Sequence, residues 1–436
     1  MAKNSARFVC QECGNVESKW SGKCGNCGSW NSFVEEKAVT NSAGIASGAK
    51  LQATPATKIK ANTQTARLSS DIDEVDQVLG GGIIPGSVIL LAGEPGIGKS
   101  TLLLQLANSL AQKSRVLYVS GEESLNQIKL RADRLNTLNV MLELATSTSS
   151  DDIAVTISSG EYQLVVVDSI QTMATAGVSS SAGTVSQITN SAQLLQNAAK
   201  NSHTAVLIVG HVTKEGNIAG PKILEHLVDV VLHLEGERFG GFKLLRGVKN
   251  RFGSTNEVGI FEMNSDGMKP VQNPSEAFLA ERSGGDGSVV FPSLEGSRAV
   301  LVEVQALVSA SPFGYPKRTA VGFDLNRLNL LVAVLSRRAG LNLGTQDIYV
   351  NIVGGLRLAE PAADLAVCMA IASAFRKKPL IDKTVVFGEV GLSGEVRRVE
   401  QPEKRLSEAK KLKFTNYISV ANTRTIVEAI KKGITT

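Results

Sequence analysis

Apolar and polar positions are patterned in distinct ways along this chain, and the changes in pattern divide it. Residues 1–35 have few apolar runs and hold four of the five cysteines and both tryptophans. Residues 36–65 are Ala, Ser, Thr, Lys and Gly with little periodicity, which reads as a mobile linker. From about Arg67, short apolar runs alternate with stretches of helical period. The runs at Ser87–Ala92, Arg115–Ser120, Tyr162–Asp168 and Ala205–Gly210 predict a parallel sheet flanked by helices over residues 66–280. A Gly- and Ser-bearing break at Ala280–Ser288 precedes another series of strands and helices over residues 289–436.

Length agrees with this division, since 436 residues exceed one ordinary core. The net charge of +5 permits an anionic partner without demanding one. No stretch approaches the apolar length of a membrane span. The opening residues do not read as a signal peptide, so a reducing cytoplasm is the expected compartment, where paired cysteines hold metal more often than they form disulfides. Cys368 stands alone in an apolar run and is expected in the core.

The other four cysteines form C-x2-C twice, Cys10 with Cys13 and Cys24 with Cys27. Each pair can place two thiolates on one ion, and four sulfur ligands suit tetrahedral zinc with no coordination position left for chemistry. The expectation is a structural C4 zinc knuckle, turned at Gly14 and Gly28 and covered by Trp20 and Trp30. DNA, a protein and the rest of the chain all remain open as its partner.

After the run at Ser87–Ala92 comes a complete G-x4-G-K-S phosphate loop, Gly93, Glu94, Pro95, Gly96, Ile97, Gly98, Lys99 and Ser100. Its glycines let backbone N–H groups face phosphates, and a helix opening at Thr101 adds a favourable dipole. Lys99 is expected on the β- and γ-phosphates of ATP and the Ser100 hydroxyl on Mg²⁺. Asp168 ends an apolar run in the Walker B manner and should hold Mg²⁺ through water. The next residue is Ser169, so the carboxylate that orients the attacking water must come from elsewhere. Glu122, at the end of a neighbouring strand, is the first choice and Glu123 the second. His211 ends the next strand, where a polar group can sense the γ-phosphate.

Four further segments complete a recognisable pattern: HVTKEG at 211–216, LEHLVD at 224–229, LRGVK at 245–249 and NRFG at 250–253. Over nearly its full length the chain resembles the RadA (Sms) family of bacterial DNA repair proteins. The run from Lys249 to Gly253 is the most specific element. The resemblance implies an α/β fold: a RecA-like P-loop ATPase core with an N-terminal zinc knuckle and a C-terminal α+β Lon-protease-like domain. It implies a hexameric ring motor that translocates on single-stranded DNA, unwinds duplex and drives branch migration of recombination intermediates. Branched DNA and the strand-exchange recombinase RecA are its implied partners. Lys249 and Arg251 are implied to serve the nucleotide of the neighbouring subunit, where a cation in trans stabilises the transferring phosphoryl group.

DNA is expected at two loops facing the ring channel. One is the nearly uncharged stretch from Gln171 to Thr189. The other follows His211 and carries Lys214 and Lys222, suited to phosphates without base preference. In the Lon-like segment the nucleophile position is occupied by Asp364 and the lysine position by Glu403, with Lys404 adjacent. A serine–lysine dyad needs a hydroxyl and a deprotonatable amine, so peptidase activity is rejected. Between Arg376 and Lys413 eleven Lys or Arg face six Asp or Glu. That surplus, Arg397 and Arg398 above all, is expected to guide duplex DNA. Two rival readings are a strand-exchange recombinase that forms a filament and a nucleotide-switched scaffold that never translocates.

Overall fold

A computed structural model describes residues 6–10, 15–37, 55, 67–211, 223–236, 242–312 and 315–434. Cys13, most of the 36–65 stretch, and Lys214 and Lys222 lie outside the described residues. The chain divides into two compact units. One is Met1–Arg238, Lys243–Thr255 and Met263–Pro270; the other is Phe239–Phe242, Asn256–Glu262 and Val271–Thr436. The second unit therefore takes in residues ahead of the 280–288 break.

The N-terminal module is a three-stranded sheet in which Ala6–Cys10 pairs on one side with Val16–Glu17 and on the other with Phe33–Lys37. Ala6 pairs with Lys37, so residues 36 and 37 belong to the sheet rather than to a linker.

A nine-stranded sheet has the spatial order Gly267–Pro270, Val258–Asn264, Phe242–Asn250, Val230–Gly236, Val88–Gly93, Ala205–His211, Leu164–Asp168, Val116–Ser120 and Leu142–Thr146. The last six run parallel, each neighbour in register with the next. The inner strands of this set are buried on both faces and rich in Val, Ile and Leu, as in a sheet covered by crossover helices, whereas the edge strand Leu142–Thr146 is only partly buried. The strand that ends in Asp168 shows no apolar–polar alternation: Leu164, Val165, Val166 and Val167 are all fully buried. On one face Ile153 and Ile157 of Ser150–Ser158 and Ile188 and Leu195 of Val185–Ser202 meet Val165, Val167, Val206 and Ile208 in a single core. The Val185–Ser202 helix starts where the Thr184 hydroxyl accepts from the Gln187 N–H, so the loop expected to reach Thr189 ends at Thr184.

The second unit is a six-stranded mixed sheet in the order Arg318–Val321, Gln346–Ile352, Arg298–Ala310, Ser288–Glu295, Thr384–Val386 and Asn416–Ile418. Helix Asp364–Arg376 packs on the Ser288–Glu295 and Arg298–Ala310 strands, and every residue from Asp364 to Ala374 is buried. Cys368 sits in that helix, and burial pushes its thiol well above the ordinary range, as befits a core residue. Among the described residues no helix is long and apolar enough to cross a membrane.

Candidate functional site

The parallel strands deliver polar residues to their carboxyl ends, the usual crevice of an open α/β sheet. Gly93 pairs in register with His211, and Ser120 with Asp168. The phosphate loop turns at Gly96 and Gly98, with φ of 81° and 113°. A Cβ on Gly98 would stand 2.5 Å from Met263 Cε, and one on Gly93 would stand 2.6 Å from the Leu234 carbonyl oxygen. A backbone oxygen excludes a side chain at Gly93, whereas at Gly98 the methionine methyls can move aside and the left-handed conformation is what excludes one. The helix begins at Lys99, two residues before the expected Thr101, and runs to Leu110. This puts Ser100 and Thr101 in its first turn, where N–H groups have no intrahelical acceptor.

The Lys99 ammonium is buried beneath the loop and donates to the carbonyls of Gly93 at 2.8 Å and Glu94 at 3.0 Å. Desolvation lowers its pKa to about 8, against the opposing pull of Asp168 and Glu122. Asp168 accepts a hydrogen bond from the buried Tyr118 hydroxyl at 2.6 Å. Burial first, and the nearby carboxylate second, hold the Tyr118 hydroxyl well above its ordinary pKa, so it remains a donor.

Glu122 and Glu123 have different partners. Glu122 accepts from the Ser169 hydroxyl and lies 3.3 Å from His211 Nε2. Glu123 is paired with Arg131. The Ser120 hydroxyl accepts from both of their backbone N–H groups, at 3.2 and 2.9 Å, and so fixes the turn that separates them. His211 is partly buried, and its Nδ1 has no hydrogen-bond partner. Lys99, Asp168, Glu122 and His211 are thereby gathered at one end of the sheet.

Lys249 and Arg251 lie apart from this cluster on the chain and are engaged within their own subunit. The Lys249 ammonium donates to the carbonyls of Glu225 at 2.6 Å, Val228 at 2.8 Å and His226 at 3.4 Å, closing the end of the Ile223–Leu227 helix. Burial, and then Arg251, lower its pKa. Arg251 donates to Asp229 Oδ1 at 3.1 Å, and the other Asp229 oxygen accepts from the Val88 N–H.

Three of the four knuckle cysteines converge. The sulfurs of Cys10, Cys24 and Cys27 all lie within 4.8 Å of one another. Cys10 and Cys27 sulfurs are 3.7 Å apart, near the roughly 3.8 Å edge defined by sulfurs about 2.3 Å from one zinc. The thiolate set and its spacing fit zinc. The module's small core is Cys10, Cys24 and Phe33, with Phe8 against it. Trp20 and Trp30 do not cover it: they are 56% and 72% exposed, because the metal ligands and two phenylalanines already fill the space.

In the second unit Asp364 is buried and gripped by two nitrogens of the Arg327 guanidinium, one bond measuring 2.6 Å, and it accepts from the Val390 N–H at 3.2 Å. Burial raises its pKa even against these donors. Glu403 lies in the first turn of Pro402–Lys411, and the Lys404 ammonium donates to the Ser297 carbonyl. Arg397 and Arg405, two of the basic residues counted along 376–413, are engaged by carboxylates, of which only Glu360 lies outside the six acids already counted. Arg405 is buried against Glu360 and the Pro292 carbonyl, and Arg397 is neutralised by Glu395 at 2.6 Å with Glu389 at 3.8 Å. Arg398 stays exposed.

Three family models match the chain: an AAA domain at residues 52–217, a rubredoxin metal binding domain at 8–35, and subunit ChlI of Mg-chelatase at 317–422. DNA repair protein RadA of Halalkalibacterium halodurans is 51% identical over 425 residues, covering 96% of this chain and 93% of its own length. The chain belongs to the RadA family of DNA repair proteins. RadA of Bacillus subtilis is 49% identical, covering 96% of this chain and 93% of its own length. RadA of Listeria monocytogenes is 47% identical and covers 99% of both chains. A solved structure of the RadB recombinase aligns over 47% of this chain and all of its own, with 22% identity and a TM-score of 0.39. The AAA-domain match takes in the phosphate loop, Glu122, Asp168 and His211, and the rubredoxin metal binding match takes in the cysteine cluster.

The sequence did not signal Tyr118, Arg131, Asp229 or Arg327. Tyr118 and Arg327 work through partners 50 and 37 residues away, and although Asp229 ends the LEHLVD segment, nothing local showed that it holds Arg251 and the Val88 N–H.

Proposed function

We propose that the chain is a DNA-dependent ATPase and helicase that translocates on single-stranded DNA and drives branch migration of recombination intermediates. The observation that carries this is the position of Glu122, between the Ser169 hydroxyl and His211 and beside Asp168 and Lys99. Lys99 leaves the Gly93 and Glu94 carbonyls for the β- and γ-phosphates of ATP. Ser100 and Asp168 are the residues that would hold Mg²⁺, which when bound neutralises charge on the phosphate oxygens. Tyr118 fixes one oxygen of Asp168 and leaves the other for that task. Glu122 orients the attacking water and accepts its proton. His211 couples the γ-phosphate to the segment that follows it, whose Lys214 and Lys222 meet DNA phosphates.

Lys249 and Arg251 act on the nucleotide of the next protomer in a hexameric ring, in trans, beside the RecA recombinase. The zinc held by Cys10, Cys13, Cys24 and Cys27 is structural. The Lon-like unit is not a protease: Asp364 is committed to Arg327, and a carboxylate cannot replace the missing hydroxyl. The protein acts on DNA in the cytoplasm. The deciding test is ATP hydrolysis with and without single-stranded DNA, together with unwinding of a forked duplex, using Lys99→Ala as control. Stimulated hydrolysis and ATP-dependent unwinding by the wild type alone are expected. Protein that consumes no ATP even with DNA present would sink the reading.

A further inference from the structure

The zinc module carries two large aromatic side chains that contribute nothing to its core. Trp20 and Trp30 are 56% and 72% exposed, although the module is small and its apolar interior is built from Phe8, Phe33 and the buried cysteines. They share one hairpin. Lys23 bridges to Trp30, and the Asn31 N–H donates to the Gly22 carbonyl. The Trp20 ring reaches back over Gly22, where an added Cβ would be 3.7 Å from the indole. The Lys23 ammonium stands 5.5 Å from the centre of the Trp30 ring.

Leaving this much indole in water is unfavourable without a partner, and exposed tryptophans are typical anchors of binding surfaces. Three classes of feature narrow the partner. The largest exposed apolar groups are the two flat indoles, with Val16 and Val34 the smaller aliphatic side chains exposed in the same module. The charged side chains on residues 15–34 are Lys19 and Lys23, both exposed, against Glu17, which is half-buried and accepts from Asn15. A cation already lies over one ring. Flat π faces flanked by lysines are the recognition chemistry of unpaired nucleobases, which stack without sequence preference while ammonium groups meet the backbone.

We propose that Trp20 and Trp30 form a stacking platform for single-stranded DNA, making the zinc module a second nucleic-acid contact separate from the ATPase unit's loops. This rests on the DNA-directed reading above. A zinc tetrathiolate carries net negative charge, so stacking rather than phosphate attraction dominates here. The module's share of binding therefore depends on salt less steeply than binding by phosphate contacts does.

The chain contains two tryptophans, so indole emission reports on this module alone. Full-length, zinc-loaded protein is titrated with oligo(dT) under indole-selective excitation, in wild type and in Lys99→Ala, which keeps the module but not the phosphate-loop lysine. Saturable quenching in both is expected. Trp20→Ala and Trp30→Ala should each weaken oligo(dT) binding about tenfold with zinc content unchanged, while Trp→Phe at either position keeps most of the affinity. Emission unmoved by saturating oligo(dT), or a zinc-replete double alanine variant that binds like wild type, overturns the proposal. So does emission that responds only to purified strand-exchange recombinase, which would make the platform a protein contact. The two readings fail separately: loss of quenching with ATP hydrolysis intact refutes the platform, and quenching without ATP hydrolysis refutes the motor.

Discussion

Tyr118 donates its hydroxyl to Asp168 at 2.6 Å from the adjacent parallel strand, wholly out of water. The bond leaves one carboxylate oxygen for the crevice and holds the side chain in a single orientation. Tyr118→Phe keeps the packing and removes the donor. Its expected effects are a several-fold higher Mg²⁺ requirement for ATP hydrolysis and a stability loss of about 2 kcal/mol, the usual worth of a hydrogen bond to a charged group. Mg²⁺ titration of turnover and denaturant unfolding measure the two. An unchanged Mg²⁺ dependence would show that Asp168 needs no such restraint.

Glu122 and Glu123 are adjacent and chemically identical, yet only Glu122 touches Ser169 and His211. Glu122→Gln should lower the ATP hydrolysis rate by about a hundredfold or more while nucleotide binding persists. Glu123→Gln should leave hydrolysis within a few-fold and cost only its pairing with Arg131. Single-turnover hydrolysis beside equilibrium nucleotide binding separates them.

The lowered pKa of Lys99 has two consequences of opposite sign. The folded value of about 8 lies below the ordinary 10.5, so between these limits the unfolded chain holds the extra proton and folding stability rises with pH. Nucleotide affinity falls over the same range, because phosphate needs the ammonium. Between about pH 7 and pH 9 the affinity of free protein for an ATP analogue should drop about tenfold, tracking the protonated fraction. Lys99→Arg, always charged, should bind with little pH dependence. A flat wild-type profile would contradict the buried-ammonium account.

Arg327 neutralises a carboxylate that has almost no access to water. Arg327→Ala should destabilise the protein by roughly 3 kcal/mol, since it strands the Asp364 charge, whereas the Arg327→Leu/Asp364→Leu pair should recover most of that loss. Thermal unfolding of the three proteins tests this. A double variant no more stable than Arg327→Ala would show that the two groups do not act as a pair.

Features that occupy contiguous residues were legible in the chain. The phosphate loop, the apolar strands and the paired cysteines each announce their chemistry within a few positions, and the strands lie where the apolar runs predicted. Contacts made across the fold were not. Ser169 lies 47 residues from Glu122 and His211 lies 89 from it, so no local pattern could show that they meet. Trp20 and Trp30 stand outside the core they were expected to cover because the buried cysteines and two phenylalanines fill so small a module. Within the basic run after Arg376, the burial of Arg405 against Glu360, 45 residues away, was likewise beyond any local pattern.

The inward grip of Lys249 has an implication for any ring that this chain builds. An ammonium shared among three backbone oxygens cannot also reach a neighbour's phosphate. Outreach must therefore uncap the helix end it was holding. On the trans role proposed for it, Lys249 would be a latch with two seats, tying occupancy of one protomer's nucleotide to the local order of the next.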